Sequence, residues 1–259
     1  MKLIEALLSE ASCRPKAIFM AGPAGAGKST ILKKLNLEGF NVINVDDTYE
    51  ELLKQEFGDD IDFSKMSPEQ LSQAAKFMGT ARKATKEKES TAIQNLMNIV
   101  IDGTGAASAP LLKKKASLEE LGYDTFMFAL YVSPMTSLKR NAERGRSLPT
   151  PAVLNSWAGL TKNLETYMTA FGNNIVIIDN DPQDADRTYD KETVMKMFPS
   201  PKGKPKTPEE QEKSRQKKEE LNQQIADLLS KEQSTKRAQM AVSFEEAQSK
   251  VKQFLQSWK

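Results

Sequence analysis

Ala17-Ile-Phe-Met-Ala21, Gly22-Pro-Ala-Gly-Ala-Gly27-Lys28-Ser29 and Thr30-Ile-Leu-Lys-Lys-Leu35 follow one another without a gap: an apolar run, a glycine-rich loop and a helical pattern. The spacing of Gly22, Gly27, Lys28 and Ser29 is that of a phosphate-binding loop, and its flanks are the strand and helix such a loop needs. Small residues let successive backbone amides turn toward phosphate oxygens, and the positive end of the helix adds to the field. Gly22, Ala24, Gly25, Ala26, Gly27, Lys28, Ser29 and Thr30 are therefore the candidate nucleotide-binding set. Lys28 is expected to reach the β and γ phosphates and Ser29 to hold Mg2+, so ATP and Mg2+ are the expected ligands.

Four further apolar runs read as strands: Asn41 to Val45, Asn98 to Ile101, Thr125 to Val132 and Asn174 to Ile178. Helical patterns separate them, and the runs do not alternate strictly. Strands buried on both faces and joined by helical crossovers predict an α/β protein with a doubly wound, mostly parallel, five-stranded sheet. In such sheets ligands collect beyond the carboxyl ends of the strands. Between the second and third strands, Ser67-Pro-Glu-Gln70 spells a helix start, which continues or breaks near Gly79.

The chain of 259 residues carries 37 basic and 35 acidic side chains, a net charge of +2 that pushes it toward no polyanion as a whole. It has no histidine, so proton transfer falls to carboxylates, lysine, tyrosine, cysteine or water. The single cysteine, Cys13, forms no internal disulfide, which makes a cytoplasmic setting the default. No run approaches the roughly 18 apolar residues of a membrane span, and Met1 to Leu8 reads as a short amphipathic helix.

Residues 1–198 are expected to form the catalytic domain, 199–207 a linker rich in proline and lysine, and 208–259 a helical extension. That extension opens helices at Thr207-Pro-Glu-Glu210 and Ser243-Phe-Glu-Glu246. Its apolar stripes, Leu221, Ile225, Leu228 and Leu229, then Phe244, Ala247, Val251, Phe254 and Trp258, must bury against each other, the core or another subunit. A protein partner or a second copy of the chain is one expected use of these helices.

The residues after each strand carry the candidate chemistry. Val45-Asp46-Asp47 ends the second run, and Asp46 is read as the base that orients an acceptor hydroxyl, with Asp47 as a helix cap. Asp102-Gly-Thr-Gly105 follows the third; Asp102 is a candidate for the metal side or for substrate, with Thr104 beside it. The absence of an N-K-x-D signature argues against a GTPase. After the fourth run, Arg140 and Arg144 lie one turn apart, and Arg146 stands between glycine and proline neighbours at a tip; such arginines can close on a triphosphate. Asp179-Asn-Asp-Pro182 lies where an adenine base could be met, or is an ordinary turn.

Taken together, residues 15 to 182 resemble the small P-loop kinases grouped around zeta toxins and polynucleotide 5'-hydroxyl kinases. The resemblance implies that Lys28 and Ser29 hold phosphate and Mg2+, that Asp46 contacts the acceptor hydroxyl, and that Arg144 or Arg146 is the lid arginine. Asp102 matches a strand-end acid that is typically glutamate in zeta toxins and serves substrate binding. Two departures stand out. Pro23 lies one place earlier than the family's loop proline, and Thr48-Tyr-Glu-Glu lacks the arginine that polynucleotide kinases place after the aspartate. The expected activity is transfer of the ATP γ-phosphate to a hydroxyl of a small molecule, such as a nucleotide sugar, or of a polynucleotide end. The alternative is an ATP-driven switch that uses its C-terminal helices to engage a partner.

Overall fold

The first strand, β1 (Lys16–Ala21), has apolar side chains on both sides, and every residue of it is buried. That two-sided burial puts it in the middle of the sheet. The computed structural model describes residues 14–182 apart from 60, 62, 64, 65, 145 and 146, together with 216, 219, 223 and 241–256. The expected helix at Met1 to Leu8, Cys13, Arg146, the linker at 199–207, the stripe from Leu221 to Leu229 and Trp258 lie outside the described residues.

Strand β1 pairs in parallel with β3 (Ile99–Gly103) on one side and β4 (Asp124–Tyr131) on the other. With β2 (Asn41–Ile43), β5 (Ile175–Asp179) and β6 (Ala241–Val242), the order across the sheet is β2-β3-β1-β4-β5-β6, every pair parallel. The fold class is as expected, but the sheet has six strands rather than five. The sixth escapes a reading by pattern because two residues, Ala241 and Val242, carry no period.

Helices cover both faces. On one lie α4 (Ser108–Glu120), α5 (Pro134–Ala142) and α6 (Thr150–Phe171), packing Leu118, Leu138, Trp157, Leu164 and Tyr167 against Phe19, Met127 and Ile177. On the other lie α1 (Lys28–Leu35) and α7 (Phe244–Gln256), where Ile31, Ala247, Val251 and Phe254 meet Val100, Phe126 and Ile178. The apolar stripe of α7, left open by the sequence, is therefore taken by the chain's own sheet. Phe254 stacks at 5.0 Å from Phe126 and lies under the Lys16 ammonium, while Phe244 lies under Lys34 of α1.

The remaining helices, α2 (Val45–Phe57) and α3 (Pro68–Gln94), pack on each other through Tyr49, Leu53, Ala74 and Ala81. Thr85 also donates to Thr48 at 3.1 Å, and Tyr49 to the Ala74 carbonyl at 3.1 Å. The Ser67–Gln70 capping box is formed, and α3 runs unbroken through Gly79 for 27 residues. No helix among the described residues is long and apolar enough to cross a membrane.

The second strand is shorter than the sequence suggests. It stops at Ile43, and Asn44, in extended conformation, accepts the Asp46 amide at 2.8 Å to cap α2. Asp46 and Asp47 thus stand in the first turn of a helix rather than at a strand end, a placement the helix dipole favours. The capping role assigned to Asp47 belongs to Asn44: asparagine competes well for that position, and its side chain reaches the free amide first.

Candidate active site

The loop Gly22–Gly27 is held from outside by its carbonyls. Ser137 of α5 donates its hydroxyl to Ala24 O, Arg140 Nη1 reaches Gly25 O at 3.3 Å, and Asn180 Nδ2 reaches Ala26 O at 2.8 Å. Because a trans peptide puts its C=O and N–H on opposite sides, tying these carbonyls outward turns the amides of Gly25 and Gly27 inward. Gly25 (φ +77°) and Gly27 (φ +84°) occupy the left-handed region. A side chain at Gly25 would place its Cβ 2.5 Å from the Ser137 carbonyl, and one at Gly27 would lie 2.6 Å from Asn180 Nδ2. Gly27 caps α1, whose first intrahelical bond runs from Ile31 N to Gly27 O, so the Lys28, Ser29 and Thr30 amides precede the helical ladder.

Arg140, expected on the nucleotide, thus also braces the loop; its Nη2 donates to Asn180 O at 3.0 Å. Asn180 sits one residue past β5, where Asp181 takes the Ser133 amide and hydroxyl and so fixes the start of α5. Ser137 and Asn180 have no signal of their own in the sequence as loop supports, since Ser137 becomes one only when β4 lies beside β1, and Asn180 only when β5 in turn lies beside β4.

Lys28 Nζ donates to the Gly22 carbonyl at 2.9 Å and stands 4.0 Å from Asp102 Oδ1. Asp102 is held from the other side by Asn44 Nδ2, 2.9 Å from Oδ2. Its Oδ1 is buried with no hydrogen-bond partner. Burial pushes the Asp102 carboxyl up to about 6, against the pull of Lys28 and with the added push of Asp47 and Asp46. Burial likewise lowers the Lys28 ammonium, a shift that Asp102 and Asp46 oppose and the positive Arg144 reinforces. Asp47 is raised by burial first and then by Asp46, Glu50 and Glu51.

These groups line one cleft of about 280 Å3. Gly25 to Thr30, Arg140 and Arg144 form one side; Asn44, Asp46, Asp47, Glu50 and Asp102 form the other. The structure brings together Lys28, Ser29, Asp46, Asp102, Arg140 and Arg144 as the sequence suggests, and adds Asn44 and Glu50. Thr104 is not among the lining residues, and its hydroxyl accepts the Ala106 amide at 3.3 Å. Among the described residues no cluster of three or more acidic or cysteine side chains is arranged to hold a metal alone.

A search of curated proteins gives no match. Among solved structures, the AvrRxo1-ORF1:-ORF2 complex is similar over 88% of this chain and 88% of that chain, with 16% identity and a TM-score of 0.52. The same complex with ATP matches over 77% of this chain and 68% of that one, with 15% identity and a TM-score of 0.52. The PezAT toxin–antitoxin structure from Streptococcus pneumoniae matches over 84% of this chain and 87% of that one, with 16% identity and a TM-score of 0.42. At such identities the likeness is one of fold. The family model described as zeta toxin, however, matches residues 4–193, most of the chain and all of the cleft, and the chain belongs to the zeta toxin family.

Proposed function

We propose that the protein is an ATP-dependent phosphotransferase that moves the γ-phosphate to a hydroxyl group. The observation that carries this reading is the division of one cleft into an amide-and-cation side and a carboxylate side, with Lys28 and Asp102 meeting between them. Gly25, Gly27 and the first amides of α1 suit the phosphate tail, with Lys28 on its terminal groups. Arg144, and Arg146 if it follows the family, would neutralise charge that spreads over the transferred group. Arg140 serves chiefly as a positioning residue for the loop.

Hard oxygen donors suit Mg2+, and the Ser29 hydroxyl and the orphaned Oδ1 of Asp102 line the same cleft, so these residues fit the ion. When bound, Mg2+ would screen the phosphate charge; with so few protein ligands it must complete its shell with phosphate and water. The acceptor hydroxyl would be oriented by Asp46 and yield its proton to that carboxylate. Its oxygen then bonds the γ-phosphorus as the bridge to the β-phosphate breaks, the electron pair leaving with ADP.

Two variants test this. Lys28→Ala should abolish ATP binding in a titration with fluorescent nucleotide. Asp46→Ala should retain ATP binding while transfer of labelled γ-phosphate to a panel of sugars and nucleosides falls by roughly 10²-fold or more. Full transfer by Asp46→Ala would remove it as the base, and transfer only to water by the unaltered protein would favour a nucleotide-driven switch.

A further inference from the structure

The last turn of α5 faces two ways. Ser137 and Arg140 reach back to the phosphate loop at the Ala24 and Gly25 carbonyls. Asn141, one turn beyond Ser137, reaches forward: its Oδ1 accepts the Leu148 amide at 3.0 Å, and its Nδ2 donates to the Leu148 carbonyl at 2.9 Å. Its own carbonyl accepts the Arg144 amide at 3.3 Å. The chain therefore leaves α5, presents Arg144 to the cleft, and is gripped again by the same residue seven positions on, just before α6. Asn141 is 4% exposed and Leu148 43%. Water could satisfy the main chain of a residue so near the surface, so what a buried carboxamide adds there is a fixed path for the chain.

We propose that Asn141 is a positioning residue for phosphoryl transfer: by clasping Leu148 it holds Arg144 at a set distance from the phosphate loop that Ser137 and Arg140 brace. The proposal rests on the phosphotransferase reading above. Arg144 is exposed, and among the described residues no hydrogen bond or ion pair holds its guanidinium, so the backbone beneath it decides where its charge stands. That charge is felt in the site, since the Lys28 ammonium, lowered first by burial, is lowered further by Arg144. Two bonds from one side chain to one residue restrain direction as well as distance, which a single bond does not. Without them the segment must be ordered at each turnover. That cost falls on the transition state, where charge spreads over the transferred group, rather than on binding of the ADP portion of the nucleotide.

The test uses the full chain with Mg2+ and three readouts: the Kd of ADP, the Kd of ADP with aluminium fluoride, which stands for the group in transfer, and kcat for labelled γ-phosphate with the best acceptor of the panel above. Asn141→Ala should bind ADP within about twofold of the parent, while its affinity for ADP with aluminium fluoride and its kcat each fall roughly tenfold. Asn141→Asp, which keeps the acceptor and loses the donor, should show the same pattern. Arg144→Ala should fall further, and adding Asn141→Ala to it should change either readout by less than about twofold, because the residue that was being placed is gone. A repeat of the tenfold loss in that double variant, or unchanged readouts in both Asn141 variants, overturns the proposal. So does loss of ADP binding in both, which would make the clasp a support of the loop or of the fold. A parent that transfers phosphate to no acceptor removes the phosphotransferase reading instead, and the aluminium fluoride readout still decides whether Asn141 places Arg144.

Discussion

Asp102 is pulled in opposite directions by burial, which disfavours its charge, and by Lys28, which favours it; burial wins, and the carboxyl is pushed up from 3.8 to about 6. The folded chain therefore binds this proton more tightly than the unfolded chain does. Between about pH 4 and 6 the folded state holds more protons, so the stability owed to Asp102 is present at low pH and is lost as pH rises through that window. Asp102→Asn keeps an acceptor for Asn44 and removes the titration. In urea unfolding without nucleotide, the variant should match the parent near pH 4 and exceed it near pH 7. Equal midpoints at both pH values would show that the carboxyl costs the fold nothing. The same tension has a functional side, since a buried carboxylate oxygen without a protein donor gains from ligand donors or a cation.

Among the elements, what the sequence reveals is whatever lies within one strand, loop or helix. The phosphate loop is legible because Gly22, Gly27, Lys28 and Ser29 must be consecutive to work, and the start of α3 is legible because Ser67 and Gln70 satisfy each other locally. The start of α2 is less so: Asn44, Asp46 and Asp47 can all cap a helix, and the structure gives the position to Asn44, whose Oδ1 accepts the Asp46 amide while its Nδ2 donates to the distant Asp102. Asn180 is harder still, because nothing near it in the chain hints that it holds the Ala26 carbonyl across the sheet. Removing that support frees the peptide that presents the Gly27 amide. Asn180→Ala should raise the Kd for ATP roughly tenfold, about the worth of one lost hydrogen bond to a loop, with little change in Tm. An unaltered Kd would mean that the loop holds its shape without that hydrogen bond.

Taken whole, the molecule buries the face of its sheet beneath α1 and α7 only by bringing back a distant part of the chain. The residues of β6 and α7 lie beyond the family match at 4–193, yet Ala247, Val251 and Phe254 complete a core that includes Ile31 of the loop helix. Phe254→Ala removes a ring packed at 5.0 Å from Phe126, and should cost about 3–4 kcal/mol in denaturant unfolding. A loss below about 1 kcal/mol would show that α7 merely rests on the surface. The sheet order has a consequence for synthesis. Residues 180–240 separate β5 from β6, and at about 5–20 residues per second a ribosome takes several seconds to make them. During that interval the last helix is still to be made, and the Phe126 ring lacks the Phe254 ring that packs on it in the finished fold.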